Sequence, residues 1–600
     1  MLLLVLGAFA LRAYHLDFQS LWSDEGISLL RSSLPPGPML AQMPVEHVPG
    51  YFLLLHGWMA LVGSQDFALR YLSLLPSVWT VALIYRLAAD LGRPQAGLWA
   101  ALLMATNGFQ IWYAQEARMY AWLLAMGALA TLACWRLYTR PTGWGTWLLY
   151  VLTTTATIYL HFFGFLLPVI HTLWAGGWLL FAKPKQIVWR WAAAGVAVAL
   201  LFAPWALRAI DLLGFDGWRA PLDPRQVPWL LLRAYSVGET LPAPWLDRLP
   251  WLYALLALMG LVSWLRRAPR AGWFLTVMLV GALGVVWLMV VRQPDFHVRY
   301  PILISLPLLL LVGGGIAALY IPRHGGALLP LAIGVGLVIA NGVALDRLYT
   351  ETTLHKPNFR GAAETINRSV TADDVVLVDG PNPQLVFAHY YTGAAPVFDL
   401  RDLAGASQAV VDARLEAATA GAARAWELLF FHTPGPVQYW LALHGWPVAP
   451  SDHNGIRVTL YGLAVEPLPE HALDTPFGPA LRLVRAGVQG PTVAPGELVR
   501  VTTTWQVAAP PPDYKFSLRL LAPDGTVRLA DDYVPVNWFF PTTQWPVGAQ
   551  VEDRRALLLP TDLSPGRYAI TLRLYDPANG LPVETPQGQD VRLAEIEVVP

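Results

Sequence analysis

Apolar runs of roughly 20 residues, the length needed to cross the hydrocarbon layer of a bilayer, recur along the first part of the chain. They lie near 1–16, 68–90, 94–112, 118–138, 144–162, 163–182, 189–210, 249–265, 272–291, 300–320 and 326–345, which predicts about eleven spans. The first, "MLLLVLGAFALRAYHL", has neither a positive leader nor a small-residue cleavage site, and it reads as a retained anchor. A further segment, "GYFLLLHGWMALVG" at 50–63, is apolar but only about fourteen residues long. Counting it as a span would invert every later loop. It is read instead as a helix lying in the interface, with His56 and Trp58 near the headgroups.

After residue 350 the long runs stop. Short strands alternate with helices through "DVVLVDG", "PNPQLVFAHYYTG", "APVFDL", "DARLEAATAGAARA", "WELLFFH", "PVQYWLALHG" and "IRVTLYGLA", predicting an α/β layer domain to about residue 465. Its first strand is not followed by a G-x-G-x-x-G turn, so a nucleotide site there is unsupported. From about 470 the period falls to two, as in "ELVRVTTTWQV" and "GRYAITLRLYDPANG", which predicts a β-sandwich of roughly seven or eight strands. The expected organisation is therefore a helical membrane domain over 1–348, an α/β domain over 349–466 and a β-sandwich over 467–600. The aromatics Trp538, Phe539 and Phe540 suit either a sugar face or a packed interface.

Composition agrees with a membrane protein: 55% of residues are hydrophobic, only 14% are charged, and 27 are Trp. The formal net charge is zero and no basic stripe is interleaved with aromatics, so no nucleic-acid partner is expected. The single cysteine, Cys134, lies in an apolar run and reads as a small packed side chain.

Charge then orients the spans. Positive residues cluster in alternate connections, at Arg86 and Arg93, Arg136 and Arg140, Lys183, Lys185 and Arg190, Arg266, Arg267 and Arg270, and Arg323. The positive-inside bias assigns those loops to the cytoplasm. Parity makes this a multi-pass protein of the plasma membrane, with a cytoplasmic N-terminus and extracytoplasmic C-terminal domains. Three polar clusters fall on the outer side. "LWSDEG" holds Asp24 and Glu25, followed by Glu46, His47 and Tyr51; "FQIWYAQEARMYAWLL" holds Gln115, Glu116 and Arg118; "VRQPDFHVRYPIL" holds Arg292, Asp295, His297, Arg299 and Tyr300. Charges near lipid are costly and mark sites with partners. Taken singly, Asp24 also reads as a helix cap, Glu116 with Arg118 as an ordinary pair at a helix end, and Arg299 as an interface anchor. His161, between two spans, reads as a packed side chain. Together, outward arginines oppose the charge bias, and an anionic ligand at the outer leaflet accounts for them and for the nearby acids.

These motifs, in this order, resemble the polytopic glycosyltransferases of the GT-C fold, in the branch of protein O-mannosyltransferases and lipid A aminoarabinose transferases. The resemblance rests on "LWSDEG", "HVPGYFLLLHGWMALVG", "IWYAQEARMYAWLL" and "VRYPILISLPLLLL", and covers about residues 1–345. His47-Val48-Pro49-Gly50-Tyr51 departs from the commoner His-Pro-Pro-hydrophobic-Tyr pattern. The resemblance implies transfer of a sugar, with anomeric inversion, from a polyprenyl-phosphate carrier to a protein, lipid or glycan hydroxyl at the outer face. An attacking hydroxyl must lose its proton, which makes Asp24 the candidate base. The leaving phosphate gathers charge, which makes Arg118 and Arg299, with Arg292 behind them, its candidate ligands. Glu25 and Glu116 are candidates to orient these groups or to hold a divalent cation such as magnesium or manganese. His47, Tyr51, Trp22, Trp112, Tyr113, Gln115, Glu116, Tyr120 and Tyr300 are candidates to line the substrate. The rival reading is a transporter or flippase of a lipid-linked sugar, against which stands the gathering of polar clusters at one face without an internal repeat.

Overall fold

In the computed structural model, which describes residues 1–139, 143–181, 185–210, 221–292, 296–320, 326–431, 433–463 and 468–600, every apolar run of the first part is helical. Arg140, Lys183, Asp295 and Arg323 lie outside the described residues. Contacts group the chain into two units, Met1–Ser20 with Asp24–Lys356 and Leu21–Ser23 with Pro357–Pro600. Among the described residues of the first unit, six helical segments are long and apolar enough to cross a membrane: Asp66–Asp90, Tyr120–Thr139, Val188–Arg208, Ala243–Arg267, Pro269–Arg292 and Leu328–Thr350. The other runs form shorter helices, among them Leu2–Ala13, Trp144–Leu160, Phe162–Gly177 and Ile302–Ala318. The segment read as interfacial is the 13-residue helix Gly50–Val62.

The run at 94–112 does not form one span. Its helix stops at Thr106, and Asn107 takes extended backbone and caps a second helix, Gly108–Ala114. The fully buried Asn107 accepts the Gln110 N–H at 3.1 Å and donates Nδ2 to the carbonyl of Ser236 at 2.7 Å. A buried N-cap of this kind satisfies the new helix start and forces the break.

Two devices tie the helices together. Arg12 is fully buried in the first helix and spends its guanidinium on Ser77 Oγ (2.7 Å) and on the carbonyls of Met104 and Ala105 (both 2.9 Å), at the end of a facing helix. Gly260 and Gly315 let the helices Ala243–Arg267 and Ser305–Ala318 approach backbone to backbone. A Cβ on Gly260 would lie 1.8 Å from the Leu311 carbonyl oxygen, and one on Gly315 would lie 2.0 Å from that of Leu256. Small residues at a helix crossing gain dispersion contacts where lipid offers no hydrophobic drive.

The second unit holds an α/β sheet and a β-sandwich. The sheet strands are β1 (Asp374–Asp379), β2 (Val397–Asp399), β3 (Arg424–Phe430), β4 (Gly445–Pro447), β5 (Ser451–Asp452) and β6 (Ile456–Leu463), ordered β2-β1-β3-β6-β4 with β5 on β6. β1 pairs in parallel with β2 and β3, and β6 runs antiparallel to β3. Every residue of β1 is buried, as expected of a strand covered on both faces. Val375, Leu377 and Ala425 pack on Val411, Leu415, Val437 and Leu441 of the helices Gln408–Thr419 and Pro436–His444.

The sandwich strands are β7 (Glu470–Phe477), β8 (Leu481–Val488), β9 (Thr492–Val493), β10 (Leu498–Val507), β11 (Lys515–Leu521), β12 (Val527–Tyr533), β13 (Gln550–Leu558), β14 (Gly566–Tyr575) and β15 (Val591–Val598). They form sheets β13-β10-β8-β7 and β12-β11-β14-β15-β9. The one strand beyond the expected number is the two-residue β9, which pairs in parallel with β15. Trp505, Phe516, Tyr533 and Trp545 fill the space between the sheets.

Candidate active site

The helix Ser23–Ser33 opens with Asp24 and Glu25 in its first turn, where acids meet the positive end of the helix dipole. The helix begins at Ser23, so Asp24 sits inside the turn rather than ahead of it as a cap. Successive helical residues point about 100° apart, and the two acids part accordingly.

Glu25 turns inward and is fully buried. Arg70, from the helix Asp66–Asp90, grips it through Nε and Nη2, each at 2.8 Å, and the Ala117 N–H donates to Oε1 at 2.9 Å. Arg70 also donates to the carbonyls of Leu16, Gln19 and Ser20. Lys356 Nζ lies 3.5 Å from Glu25 Oε2 and 3.1 Å from Glu116 Oε1, which also accepts the Trp112 indole N–H at 2.8 Å. Burial alone would raise the Glu25 carboxyl, but Arg70 and Lys356 outweigh it and hold the group below the ordinary carboxylate range. The pair expected to hold a divalent cation is therefore already neutralised by cations of the chain, and it does not fit magnesium or manganese without displacing Lys356. Among the described residues no group of three or more His, Cys, Asp or Glu is placed to hold a metal ion.

Asp24 keeps a partly open carboxylate, 22% exposed, whose Oδ2 meets Nη2 of the nearly buried Arg299 at 2.6 Å. Arg118, also nearly buried, donates Nη1 to the Asp24 carbonyl (3.0 Å) and to Ser28 Oγ (3.1 Å). Burial works against the Arg118 charge, and Asp24 more than compensates it. The Arg299 guanidinium lies over the rings of Tyr120 and Tyr300, 5.5 and 5.7 Å from their centroids. His161 touches the same two rings, and Tyr113 packs edge-on against Tyr120 at 5.3 Å.

Sequence reasoning passed over a third cation, Arg31. It follows Asp24 by seven residues, two turns along the same helix, and that spacing was the available signal. Its guanidinium lies 5.4 Å from the Phe52 ring centroid, and its buried Nη1 has no hydrogen-bond partner among the described residues; nor does the buried Nε of Arg118. Burial and the neighbouring Arg118 pull Arg31 down to about 10, which leaves it a cation at neutral pH. His47 pairs with Glu46 at 3.4 Å; burial, with Arg31 and Arg118 nearby, pulls it down to about 4, so its imidazole is neutral. Lys356 and Arg70 were also missed. Lys356 lies beyond the last span, where nothing in the sequence ties it to Glu25.

Other candidates lie elsewhere. Tyr51 is fully buried with its hydroxyl 3.2 Å from Ser73 Oγ, which in turn donates to the Arg118 carbonyl at 3.0 Å. Gln115 bridges the carbonyls of Arg12 and Tyr14 and receives the Tyr349 hydroxyl, a helix-packing role. Arg292 is exposed at the end of the helix Ala282–Arg292, with no hydrogen bond or ion pair among the described residues. Trp22 falls in the Leu21–Ser23 segment that groups with the second unit.

No protein-family model and no curated protein matches the sequence. The three-dimensional comparison does match. The structure of ArnT from Cupriavidus metallidurans in the apo state aligns with 76% of this chain and 97% of its own, at 11% identity and a TM-score of 0.55. The structure of ArnT from the same organism bound to undecaprenyl phosphate aligns with 77% of this chain and 98% of its own, at 12% identity and a TM-score of 0.50. At such identities the likeness speaks to the fold alone: this chain shares the fold of ArnT, the GT-C fold, and among its described residues six helical segments are long and apolar enough to cross a membrane.

Proposed function

We propose that this protein is an inverting membrane glycosyltransferase that moves a sugar from a polyprenyl phosphate to a hydroxyl acceptor at the extracytoplasmic face. The observation that carries the reading is the partly open Asp24 carboxylate held against a buried Arg299, with Arg118 and Arg31 beside it. Three guanidiniums in a poorly solvated setting favour an anion, and a phosphate whose charge grows as the sugar leaves is stabilised more in the transition state than in the ground state.

In this reading the acceptor oxygen forms a bond to the anomeric carbon while the bond from that carbon to the phosphate oxygen breaks. The phosphate departs with the electron pair toward Arg299, Arg118 and Arg31, and Asp24 takes the acceptor proton. Arg299 engages both Asp24 and the incoming phosphate, so donor binding draws it toward the anion and releases Asp24 for the acceptor. Glu25, Arg70 and Lys356 act as positioning residues that fix the first turn carrying Asp24. Tyr51 acts through Ser73 on the Arg118 loop. Tyr120, Tyr300 and Tyr113 flank the sugar or the prenyl chain.

The test is turnover of labelled polyprenyl-phosphate sugars by purified protein, with candidate acceptors. Asp24→Asn should abolish transfer yet retain donor binding, and near-normal turnover by the variant would remove Asp24 from the base role. Translocation in vesicles without a new glycosidic bond would favour transport instead.

A further inference from the structure

The second unit carries a solvent-open hollow between its sheet and its sandwich, lined by Glu427, Gln438, Tyr461, Asn537 and Trp538. Its floor is a polar chain. Glu427, on β3 and 1% exposed, accepts Gln438 Nε2 at 2.6 Å on one carboxylate oxygen and the Tyr461 hydroxyl at 3.1 Å on the other. Asn537 donates its side-chain N–H to the Tyr461 oxygen at 3.1 Å. Among the described residues no Lys, Arg or His lies within ion-pair distance of Glu427, although a buried carboxylate ordinarily takes such a partner. Burial pushes the carboxyl up to about 7, so near neutral pH it can donate as well as accept.

The rim is built at a cost. Val536, Asn537 and Trp538 have φ of 50°, 46° and 75°, left-handed backbone that is especially unfavourable for a β-branched valine. Asp553, buried on β13, holds this turn by accepting the Val536 N–H at 2.6 Å, and is itself held by the Tyr533 hydroxyl at 2.8 Å. The turn aims Asn537 at the polar chain and leaves Trp538 half-exposed on the same hollow. Lys515 Nζ lies 5.6 Å from the Trp538 ring centroid, which steadies the indole.

We infer that this hollow binds a neutral glycan, with Trp538 as the stacking face and Glu427, Gln438, Tyr461 and Asn537 reading its hydroxyls. The C–H face of a sugar ring is apolar and suits an exposed indole, whereas its hydroxyls need paired donors and acceptors. A charged ligand of either sign would meet a like charge, the acid of Glu427 or the guanidinium of Arg457, which lines the same hollow. The site is separate from the proposed transfer reaction, and Asp24→Asn should leave it intact.

The test uses the full chain in nanodiscs, passed over immobilised mannan, arabinan and galactan, with bare matrix as control. Retention on at least one polymer, released by oligosaccharides of that polymer, is expected. Trp538→Ala should weaken it at least tenfold with an unchanged thermal midpoint, and Trp538→Phe should keep most of it. Failure of all three polymers to hold the wild-type chain above bare matrix would overturn the inference. Wild-type affinity in Trp538→Ala would overturn it equally.

Discussion

Arg31, half-buried, and Arg70, fully buried, are arginines of the first unit employed in opposite ways. Arg70 spends its donors on Glu25 and three carbonyls, whereas the Arg31 side chain forms no hydrogen bond or ion pair among the described residues and rests on Phe52. Among the described residues, only Glu46 and Asp24, acting at longer range, offset its desolvation, and an anion at Nη1 would complete it. Arg31→Met keeps an apolar stem on Phe52 and removes the charge. For the fold, the loss is one cation–π contact, about 0.5–1 kcal/mol. For the reaction, it is a charge-assisted hydrogen bond to phosphate, about 1.5–3 kcal/mol, or roughly tenfold to 150-fold in kcat/KM. Measuring kcat/KM against donor concentration, together with a thermal midpoint and competition by polyprenyl phosphate lacking a sugar, separates the two effects. Unchanged kcat/KM would refute the assignment, as would a loss confined to the KM of the acceptor or one matched by destabilisation.

Arg70→Met should do the converse. It removes the two-pronged partner of a buried carboxylate and leaves only Lys356 and the Ala117 N–H among the described residues, a loss of up to about 3–5 kcal/mol, and a lowered thermal midpoint with reduced folded yield is the expected readout. Glu427→Gln tests linkage in the second unit. A carboxyl raised from 4.5 to about 7 on folding contributes stability below pH 4.5 that is lost as pH rises through 7, about 3 kcal/mol in all. The wild-type unfolding midpoint should therefore fall between pH 5 and 8 more steeply than that of Glu427→Gln, and parallel pH profiles would contradict the burial of an unpaired acid.

The helices of the first unit were legible because an apolar run of spanning length has few alternatives in a bilayer, where every backbone polar group must be satisfied internally. The run at 94–112 misled because hydropathy does not register a single buried cap, and Asn107 needed Tyr235 and Ser236, far along the chain, to make its break stable. The strands after 370 were legible from their periods, and the short β9 was not, since two residues carry no pattern.

The sequence by itself determined the membrane class, the order of helical, α/β and β-rich parts, and the polar segments that break the apolar pattern. Local composition is enough for these, because burial in lipid or between sheets acts on each residue separately. Only the tertiary structure decided how neighbouring acids divide their work. Asp24 and Glu25 are adjacent in sequence, but one helical step turns them toward different partners, Arg299 for the first and Arg70 with Lys356 for the second. Those partners lie 45 to 331 positions away from the acids they meet. Pairing over such distances is a property of how the helices pack, and no window of sequence contains it.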